Sequence, residues 1–206
     1  MELKAIVADI AKGIELADSR RPVAISVRTK QAYKPGIGPH TEAMAIELVL
    51  RELEGLAGSP YAGKVQLQKA YPSAPRSRCD ICIGSPTFEW AIEVKMLRIM
   101  GDNDKPNDNM LMHILSPYPE HRSALTDALK LLQSGFAARK AVLIYAFDYP
   151  AWPMALAIEA FEKLASQSVV LSSRTSAPFG GLVHPVHRGG AVFAWEILGT
   201  GAAKAD

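Results

Sequence analysis

The sequence predicts an α/β fold in which a mixed central β-sheet is flanked by helices. Segments with apolar residues at helical spacing interchange along the chain with segments whose apolar residues alternate. The run KAVLIYAFDY (140–149) is long and apolar enough to be a strand covered on both faces. After residue 40, the predicted order is a helix, three strands, a helix, a strand, a helix and further strands, which is typical of an α/β protein.

Local signals place the individual elements. Thr41 is a good N-cap for the second predicted helix, and Ser123 and Gly135 bound the third. The predicted helices cover residues 2–17, 41–58, 123–136 and 152–165. The predicted strands cover residues 22–28, 64–71, 78–84, 88–97, 140–149, 169–174 and 191–198. The short turn GSPT joins the third and fourth of these strands into a hairpin, and a Gly/Pro/His-rich loop bridges the last two.

Length and composition are those of a globular protein. The 206 residues suffice for one domain with a proper core, and we expect residues 1–206 to form a single domain. No run approaches the roughly 18 apolar residues of a membrane span, so no membrane association is expected. The acid-containing N-terminal segment lacks the apolar region of a signal peptide. Two cysteines cannot build a disulfide framework, and a cytoplasmic location is expected.

The net charge of +2 neither demands nor excludes nucleic acid as a partner. Binding to phosphates would have to come from local basic clusters, such as Arg20–Arg21, residues 28–34, or Arg76 with Arg78. Each of these short clusters is also typical of a solvated surface.

The predicted hairpin places polar groups on one face. Side chains alternate along a strand, so residues two apart share a face. The apolar face of the second strand carries Phe88, Trp90, Ile92, Val94 and Met96, and its other face carries Glu89, Ala91, Glu93 and Lys95. In the first strand, Cys79, Ile81 and Ile83 are expected on one face, and Arg78, Asp80 and Cys82 on the other. If both apolar faces pack on one core, Asp80 joins Glu93 and Lys95.

Two carboxylates and an amine in one place suit a hard divalent cation and phosphate chemistry. Mg²⁺ prefers carboxylate and water oxygens, and it can activate a water and neutralise charge on a phosphate. The ammonium of Lys95 could orient that water or stabilise the transition state. The competing interpretation is that Glu93 and Lys95 are solvated charges of a half-buried strand in an unrelated α/β protein.

Other motifs favour ordinary structure. A structural zinc site needs four ligands, whereas CDIC (79–82) offers the chain's two cysteines, and a strand would point them to opposite faces. The loop GDNDKPNDN (101–109) lacks the glycine and glutamate of a calcium loop, although it could line a substrate groove. HPVH (184–187) has no nearby cysteine or third histidine to complete a metal site and is interpreted as a loop. Nothing in the sequence fixes whether His40 or His113 approaches the site.

Asp80, followed after twelve residues by Glu93-Val94-Lys95, resembles the signature of the PD-(D/E)XK, or restriction-endonuclease-like, nucleases. The proline that precedes the aspartate in that signature is absent here, where the residues are Ser77-Arg78-Cys79-Asp80. The resemblance implies an αβββαβ core over about residues 40–150, with the N-terminal helix and the C-terminal strands as additions.

The resemblance also implies roles for individual residues. Asp80 and Glu93 would bind Mg²⁺ (or Mn²⁺) with the carbonyl oxygen of Val94, and Lys95 would position the attacking water or stabilise the transition state. Members often carry a further acidic residue on the first core helix, for which the candidates here are Glu42 and Glu47. We favour Glu42, because it is in phase with the apolar stripe of its helix, although a first-turn glutamate also suits the helix dipole.

The second core helix in that family often adds a basic or amide residue. We expect Leu125, Leu129 and Leu132 to form the buried stripe of this helix. Lys130 and Gln133 then lie on another face and are candidates for substrate contact, although a solvated helix face explains them equally well.

The function implied is that of a magnesium-dependent endonuclease acting on nucleic acid, DNA in preference to RNA, in restriction, defence or repair. Cutting both strands of a duplex ordinarily needs two active sites, which favours a homodimer, although the sequence carries no interface signal. The alternative is a catalytically inert member of the same family that serves as a DNA-binding or assembly module.

Overall fold

The strands form one mixed sheet. A computed structural model describes residues 1–72, 74–107 and 109–201. Its strands are β1 (Val65–Tyr71), β2 (Ala74–Ile83), β3 (Trp90–Leu97), β4 (Arg139–Phe147), β5 (Val169–Leu171), β6 (Thr175–Phe179) and β7 (Gly190–Thr200). They are arranged in the order β1-β2-β3-β4-β7-β5, and β6 also pairs with β7. β3 and β4 are parallel, whereas the other neighbours pair antiparallel.

Helices cover both faces of this sheet. They are α1 (Leu3–Ser19), α2 (Glu42–Glu54), α3 (Met112–Leu115), α4 (Ala124–Gln133) and α5 (Ala155–Ala165), with a 3₁₀ turn at Pro119–His121. The apolar faces of α1 and α2 pack on one side of the sheet, and those of α4 and α5 pack on the other. The predicted α/β class, with a mixed sheet flanked by helices, is therefore confirmed.

Strand β4 lies in the middle of the sheet and separates the two apolar cores. Its alternate residues Leu143, Tyr145 and Phe147 belong to the core under α1 and α2. Val142, Ile144 and Ala146 belong to the core under α4 and α5. Because both faces are covered, the strand is a continuous apolar run in sequence, as predicted.

Local sequence signals explain where the helices near the cleft begin. The hydroxyl of Thr41 accepts a hydrogen bond from the backbone N–H of Met44, and the hydroxyl of Ser123 accepts one from that of Thr126. Both residues had been predicted as N-caps. These caps determine where α2 and α4 begin, and therefore where the first charged residues of the two helices lie.

Several elements differ from the sequence prediction. Residues 22–28 form no strand beyond an isolated bridge between Ile25 and Ala32, and Val27 is 83% exposed, because no neighbouring strand covers this segment. The helix expected from residue 152 begins at Ala155. Pro153 disfavours helical backbone at Trp152, which instead bridges to Tyr149.

The C-terminal strands are more than a hairpin. Strand β6 was not predicted, since its Pro178 is unfavourable in a sheet; here the proline lies near the end of the strand, opposite Ala191. Strand β7 pairs with β4 as well as with β5 and β6, so the C-terminal addition extends the central sheet. Strand β2 begins at Ala74, four residues before the predicted start at residue 78; Ser73 lies outside the described residues.

Within the described ranges, none of the helices has both the length and the apolar character that crossing a bilayer would demand.

Candidate functional site: a carboxylate-lined cleft

The cleft forms where strands β2 and β3 separate. Their pairing covers three residue pairs and ends at Ile81 and Ile92. One step further, the Oδ2 atom of Asp80 accepts a hydrogen bond from the backbone N–H of Val94 at 2.8 Å, and its Oδ1 atom accepts one from the Gln68 amide at 2.8 Å. The Asp80 carboxylate therefore takes the place of a backbone acceptor and is held between the strands.

Glu93 and Lys95 lie on the face of β3 that is covered by α4. Glu93 is 2% exposed and Lys95 is 9% exposed. Charged groups are almost never buried to this extent unless they are paired. The interpretation of these residues as solvated charges of a half-buried strand is therefore wrong.

The Glu93 carboxylate is surrounded by both donors and acids. Its Oε1 atom accepts hydrogen bonds from the hydroxyl of Tyr71 at 2.5 Å and from Nζ of Lys130 at 2.8 Å. Burial, followed by the negative charges of Asp127 and Asp80, raises the pKa of Glu93 well above its ordinary value. Asp80 and Glu93 line the same cleft, near enough for the charge of Asp80 to contribute to the raised pKa of Glu93.

The Lys95 ammonium lies among two carboxylates and one backbone carbonyl. Its Nζ atom lies 2.6 Å from Oδ2 of Asp127, 3.7 Å from Oε1 of Glu42, and donates to the Val94 carbonyl at 3.1 Å. Burial alone would lower the pKa of Lys95, but the carboxylates of Glu42 and Asp127 outweigh it and raise that pKa above the ordinary value. Lys95 is therefore a cation at neutral pH.

Glu42 enters the cleft from the first turn of α2. Its Oε2 atom accepts a hydrogen bond from the backbone N–H of Met96 at 2.6 Å. Burial raises the pKa of Glu42 to about 7, with Asp80 and Asp127 adding to the rise and Lys95 opposing it. Glu47 instead pairs with Arg51 on the exposed side of the helix. Of the two candidates on α2, the structure thus places the one we favoured at the cleft.

The sequence prediction missed Asp127. This buried residue binds Lys95 through Oδ2 and Lys130 through Oδ1, the latter at 2.8 Å. The expected stripe of leucines on α4 was partly wrong: Leu129 and Leu132 are only partly buried, and the buried residues are Ala124, Leu125, Asp127, Ala128 and Leu131. The overlooked signal is the spacing of three residues between Asp127 and Lys130, which places opposite charges on one helix face.

The two candidates for substrate contact on α4 are placed differently. Lys130 lines the cleft and bridges Glu93 and Asp127, with its side chain about one third exposed. Gln133 is exposed and lies outside the described lining of the cleft, because the helix turns it away from β3. A role for Gln133 at this site is therefore not supported by its position.

The cleft is large and has an acidic interior with a basic rim. Its volume is about 570 Å³, in the range of small-molecule and cofactor sites. Acidic residues from α2, β2, β3 and α4 line the interior, together with Lys95 and Lys130. Arg76 and Arg78, at the start of β2, and Arg122, just before α4, contribute exposed guanidinium groups to the lining. An anion with a cation beneath it would suit this distribution of charge.

The residues of the interior fit a divalent cation. The four carboxylates of Glu42, Asp80, Glu93 and Asp127 face the two ammonium groups of Lys95 and Lys130, which leaves two excess negative charges when all six groups are ionised. Burial, with the charges of Asp80 and Asp127 adding to it, raises the pKa of Glu42 and of Glu93, and a bound cation would favour the ionised form of both groups. Asp80 and Glu93 could hold the ion, and the Val94 carbonyl, now bonded to Lys95, lies beside them.

The two cysteines are not arranged as predicted. Cys79 and Cys82 were expected on opposite faces of β2, with Cys79 beside Ile81 and Ile83. Both are instead buried in the core under α4 and α5, whereas Ile81 and Ile83 lie in the other core. The alternation breaks at Asp80, where β2 leaves β3. Both thiols are free and buried, away from the cleft lining.

The remaining motifs lie elsewhere. The described residues of the 101–109 loop, from which Asp108 is excluded, do not line the cleft; the loop instead brings Asp102 to the buried His184 and His187. HPVH is a loop, as predicted, and the neighbour of its two histidines is Asp102. His40 is buried and His113 is exposed, both outside the described cleft lining.

Comparison of the chain with protein-family models, with curated proteins and with solved structures yields no match.

Proposed function

We propose that this protein is a metal-dependent nuclease that hydrolyses phosphodiester bonds in DNA. The observation that carries the proposal is the meeting of four carboxyl groups and two lysines in the interior of the cleft, beneath a rim of three arginines. A divalent cation matches the interior, and the phosphates of a nucleic acid match the rim. If the acidic cluster only stabilised the fold, exposed arginines around the cleft would not be required.

The resemblance to the PD-(D/E)XK nucleases supports the same proposal. The order α2, β1, β2, β3, α4, β4 is the one that the resemblance implies, with the short helix α3 and a 3₁₀ turn inserted before α4. Asp80, Glu93 and Lys95, the residues of the signature, lie in one cleft, and Glu42 reaches it from α2. The preference for DNA follows the usual substrates of that family, as does a setting in restriction, defence or repair.

Asp80 and Glu93 would hold Mg²⁺ or Mn²⁺, with the Val94 carbonyl as a further oxygen donor. Such an ion, when bound, makes a coordinated water more acidic and neutralises charge on the phosphate. The two lysines offset part of the negative charge around the ion. Lys130 contacts Glu93, and Asp127 contacts both Lys95 and Lys130.

Lys95 acts as a donor of hydrogen bonds rather than as a base. Because Glu42 and Asp127 keep it protonated, its ammonium can stabilise the negative charge that develops on the phosphate in the transition state. In the hydrolysis, the water oxygen bonds to phosphorus and the bond to one sugar oxygen breaks. Glu42, with a pKa of about 7, is placed to accept the proton that the water loses, and solvent protonates the leaving oxygen.

The experiment that tests this function incubates the purified protein with plasmid DNA, single-stranded DNA and RNA, each with Mg²⁺, Mn²⁺ or EDTA. We expect metal-dependent cleavage of DNA that EDTA abolishes. The substitution Lys95→Ala should lower the rate by about 10²–10³, the usual effect of removing one donor to a developing oxyanion. Lys163→Ala, an exposed lysine of α5, is the matched control and should cleave at the wild-type rate.

Cleavage that persists in EDTA, or that proceeds at the wild-type rate in the Lys95→Ala variant, would contradict the mechanism. DNA binding without cleavage under any of the metal conditions would contradict the enzymatic proposal and favour an inert DNA-binding module of the same fold.

A further inference from the structure

Residues 22–35 form an exposed arm between α1 and α2. One antiparallel bridge joins Ile25 to Ala32. The backbone N–H groups of Ser26 and Tyr33 donate across the arm on either side of this bridge, each at 2.9 Å. The strands of the described sheet pair with one another and not with this segment. The arm is therefore a narrow two-stranded ribbon that stands apart from the sheet.

Buried contacts fix the base of the arm to the rest of the protein. The carboxylate of Asp18, which is 2% exposed, accepts hydrogen bonds from the backbone N–H groups of Ile37 at 2.8 Å and of Val183 at 2.6 Å. The Pro22 carbonyl accepts one from the N–H of Gly36 at 2.9 Å. The fold therefore determines where the arm leaves the body of the protein.

The arm and its base carry positive charge. Between residues 19 and 41 the chain has no acidic residue and five basic ones, which are Arg20, Arg21, Arg28, Lys30 and Lys34. Arg20 pairs with Glu52, whereas the other four side chains are exposed. Four exposed cations on one short segment match the closely spaced phosphates of a nucleic acid.

One face of the arm is also apolar. Val23, Ile25 and Val27 alternate along the first side of the arm and are 48%, 57% and 83% exposed. The register of the bridge places Lys34 opposite Val23 and Lys30 opposite Val27, so the two lysines share this face. Neighbouring exposed aliphatic side chains with a polar rim are typical of an interaction surface. The partner that suits this face offers both negative charge and apolar groups.

We propose that the arm enters the major groove of duplex DNA. Residues 23–27 and 30–34 form its two sides, each about 16 Å long at roughly 3.3 Å per residue and about 4.8 Å apart. The major groove, about 12 Å wide and about 8.5 Å deep, admits such a ribbon, and thymine methyl groups line it between the phosphates. The choice of DNA rests on the proposed function, whereas the choice of the duplex rests on the shape of the arm.

A second copy of the chain is a poorer partner for this surface. A two-fold contact brings the same patch of both copies together, and here it would juxtapose the exposed cations of two arms.

The arm lies within reach of a duplex that occupies the cleft. Lys34 precedes Glu42 by eight residues, which span less than about 30 Å even when fully extended. One turn of duplex DNA is about 34 Å long. A duplex of two turns can therefore contact both the arm and the cleft.

The test measures binding of the full-length chain to a fluorescent duplex of about 20 base pairs, two turns of DNA, and to a single strand of the same sequence. EDTA is present, and anisotropy is the readout. The double variant Arg28→Ala/Lys30→Ala should bind the duplex about 10–100-fold more weakly near 0.1 M salt, and its dependence of log K on log salt should be less steep by about two.

The matched control Lys4→Ala/Lys163→Ala removes the same charge from exposed positions on α1 and α5, and it should bind the duplex as the wild type does. Val27→Ser should weaken duplex binding several-fold without changing the salt dependence, because it removes an apolar contact and no phosphate contact. All these side chains are exposed, so circular dichroism should show the wild-type Tm for each variant.

Equal duplex affinity in the arm double variant and in the control would overturn the proposal. An unchanged affinity in Val27→Ser, or an equal loss of duplex and single-strand binding in the double variant, would contradict entry into a groove. If the double variant instead changes the sedimentation of the chain and leaves DNA binding intact, the arm is an interface between copies and the proposal is wrong.

These results are independent of cleavage, because the binding assay contains no metal. A chain that binds the duplex through its arm but cleaves DNA under no metal condition would contradict the nuclease and support the arm. Metal-dependent cleavage by a chain whose duplex affinity does not depend on the arm would contradict the arm and support the nuclease.

Discussion

The carboxyl group of Glu42 illustrates how the surroundings of one residue set its chemistry. A glutamate in the first turn of a helix usually has an ordinary pKa and interacts with the helix dipole. Here the side chain turns into the cleft, where burial and the charges of Asp80 and Asp127 raise its pKa to about 7. The group is therefore close to half protonated at neutral pH in the metal-free protein.

This shift predicts how the stability of the metal-free protein depends on pH. The folded state binds the proton of Glu42 more tightly than the unfolded chain, in which the pKa is near 4.5. Its contribution to stability is therefore complete below about pH 4.5 and is lost as the pH rises to about 7. With EDTA present, the Tm should fall over this range, and less steeply in Glu42→Gln, which remains neutral. Circular dichroism melts measure this.

The raised pKa of Glu93 acts in the same direction, so some pH dependence should remain in Glu42→Gln. Mg²⁺ should restore the Tm of the wild type near pH 7.5, because it favours the ionised carboxylates. Identical pH profiles for wild type and Glu42→Gln would show that the environment of Glu42 is not as described.

At the scale of residues, much of the cleft could be predicted from sequence. Asp80, Glu93 and Lys95 were found by spacing, and Glu42 was found by helical phase. Asp127 was not, because an acidic residue in the first turn of a helix ordinarily reads as exposed, and only the packing of α4 on β3 buries it. The alternation of side chains along β2 breaks at Asp80, where β2 separates from β3. The sequence of one strand does not show where it separates from its neighbour.

At the scale of elements, the cleft depends on the start of α4. The buried hydroxyl of Ser123 donates to the Ser116 carbonyl at 2.5 Å and accepts from the N–H of Thr126 at 3.3 Å. It thus fixes both the first turn of the helix and the chain that leads into it. Asp127 and Lys130 follow one and two turns later, so their approach to Lys95 and Glu93 depends on this cap.

We therefore expect Ser123→Ala to lower the free energy of unfolding by about 2 kcal/mol, from the loss of a cap and of a buried hydrogen bond. Thr41→Ala should cost about 1 kcal/mol, because this cap of α2 is exposed and its bond to Met44 is 3.4 Å long. Urea denaturation of both variants measures the difference. A smaller loss for Ser123→Ala than for Thr41→Ala would contradict this view of α4.

Elements with strong periodicity were the ones that sequence could predict. Helices α1 and α2 and strands β3 and β4 carry apolar residues at regular spacing over two or more turns or the whole strand. Segment 22–28 has the alternation of a strand but gains no partner, and β6 has a partner in β7 despite its proline. Whether such a segment becomes a strand depends on a partner that is distant in sequence, and the local pattern of residues does not show that partner.

At the scale of the whole molecule, the distribution of charged groups is more informative than the net charge. The net charge is only +2, yet the cleft combines an acidic interior with an arginine rim. The cleft lies where the pairing of β2 and β3 ends, and charged groups from α2, β2, β3 and α4 meet there.

The central claim is that the carboxylates of the cleft form one cation site, and Mn²⁺ binding followed by electron paramagnetic resonance tests it most directly. The free Mn²⁺ signal should decrease on addition of the wild-type chain and of the Lys163→Ala variant. The double variant Asp80→Asn/Glu93→Gln should bind Mn²⁺ more than about tenfold more weakly, since it loses both carboxylate charges. Equal Mn²⁺ binding by the double variant and the wild type would contradict the claim.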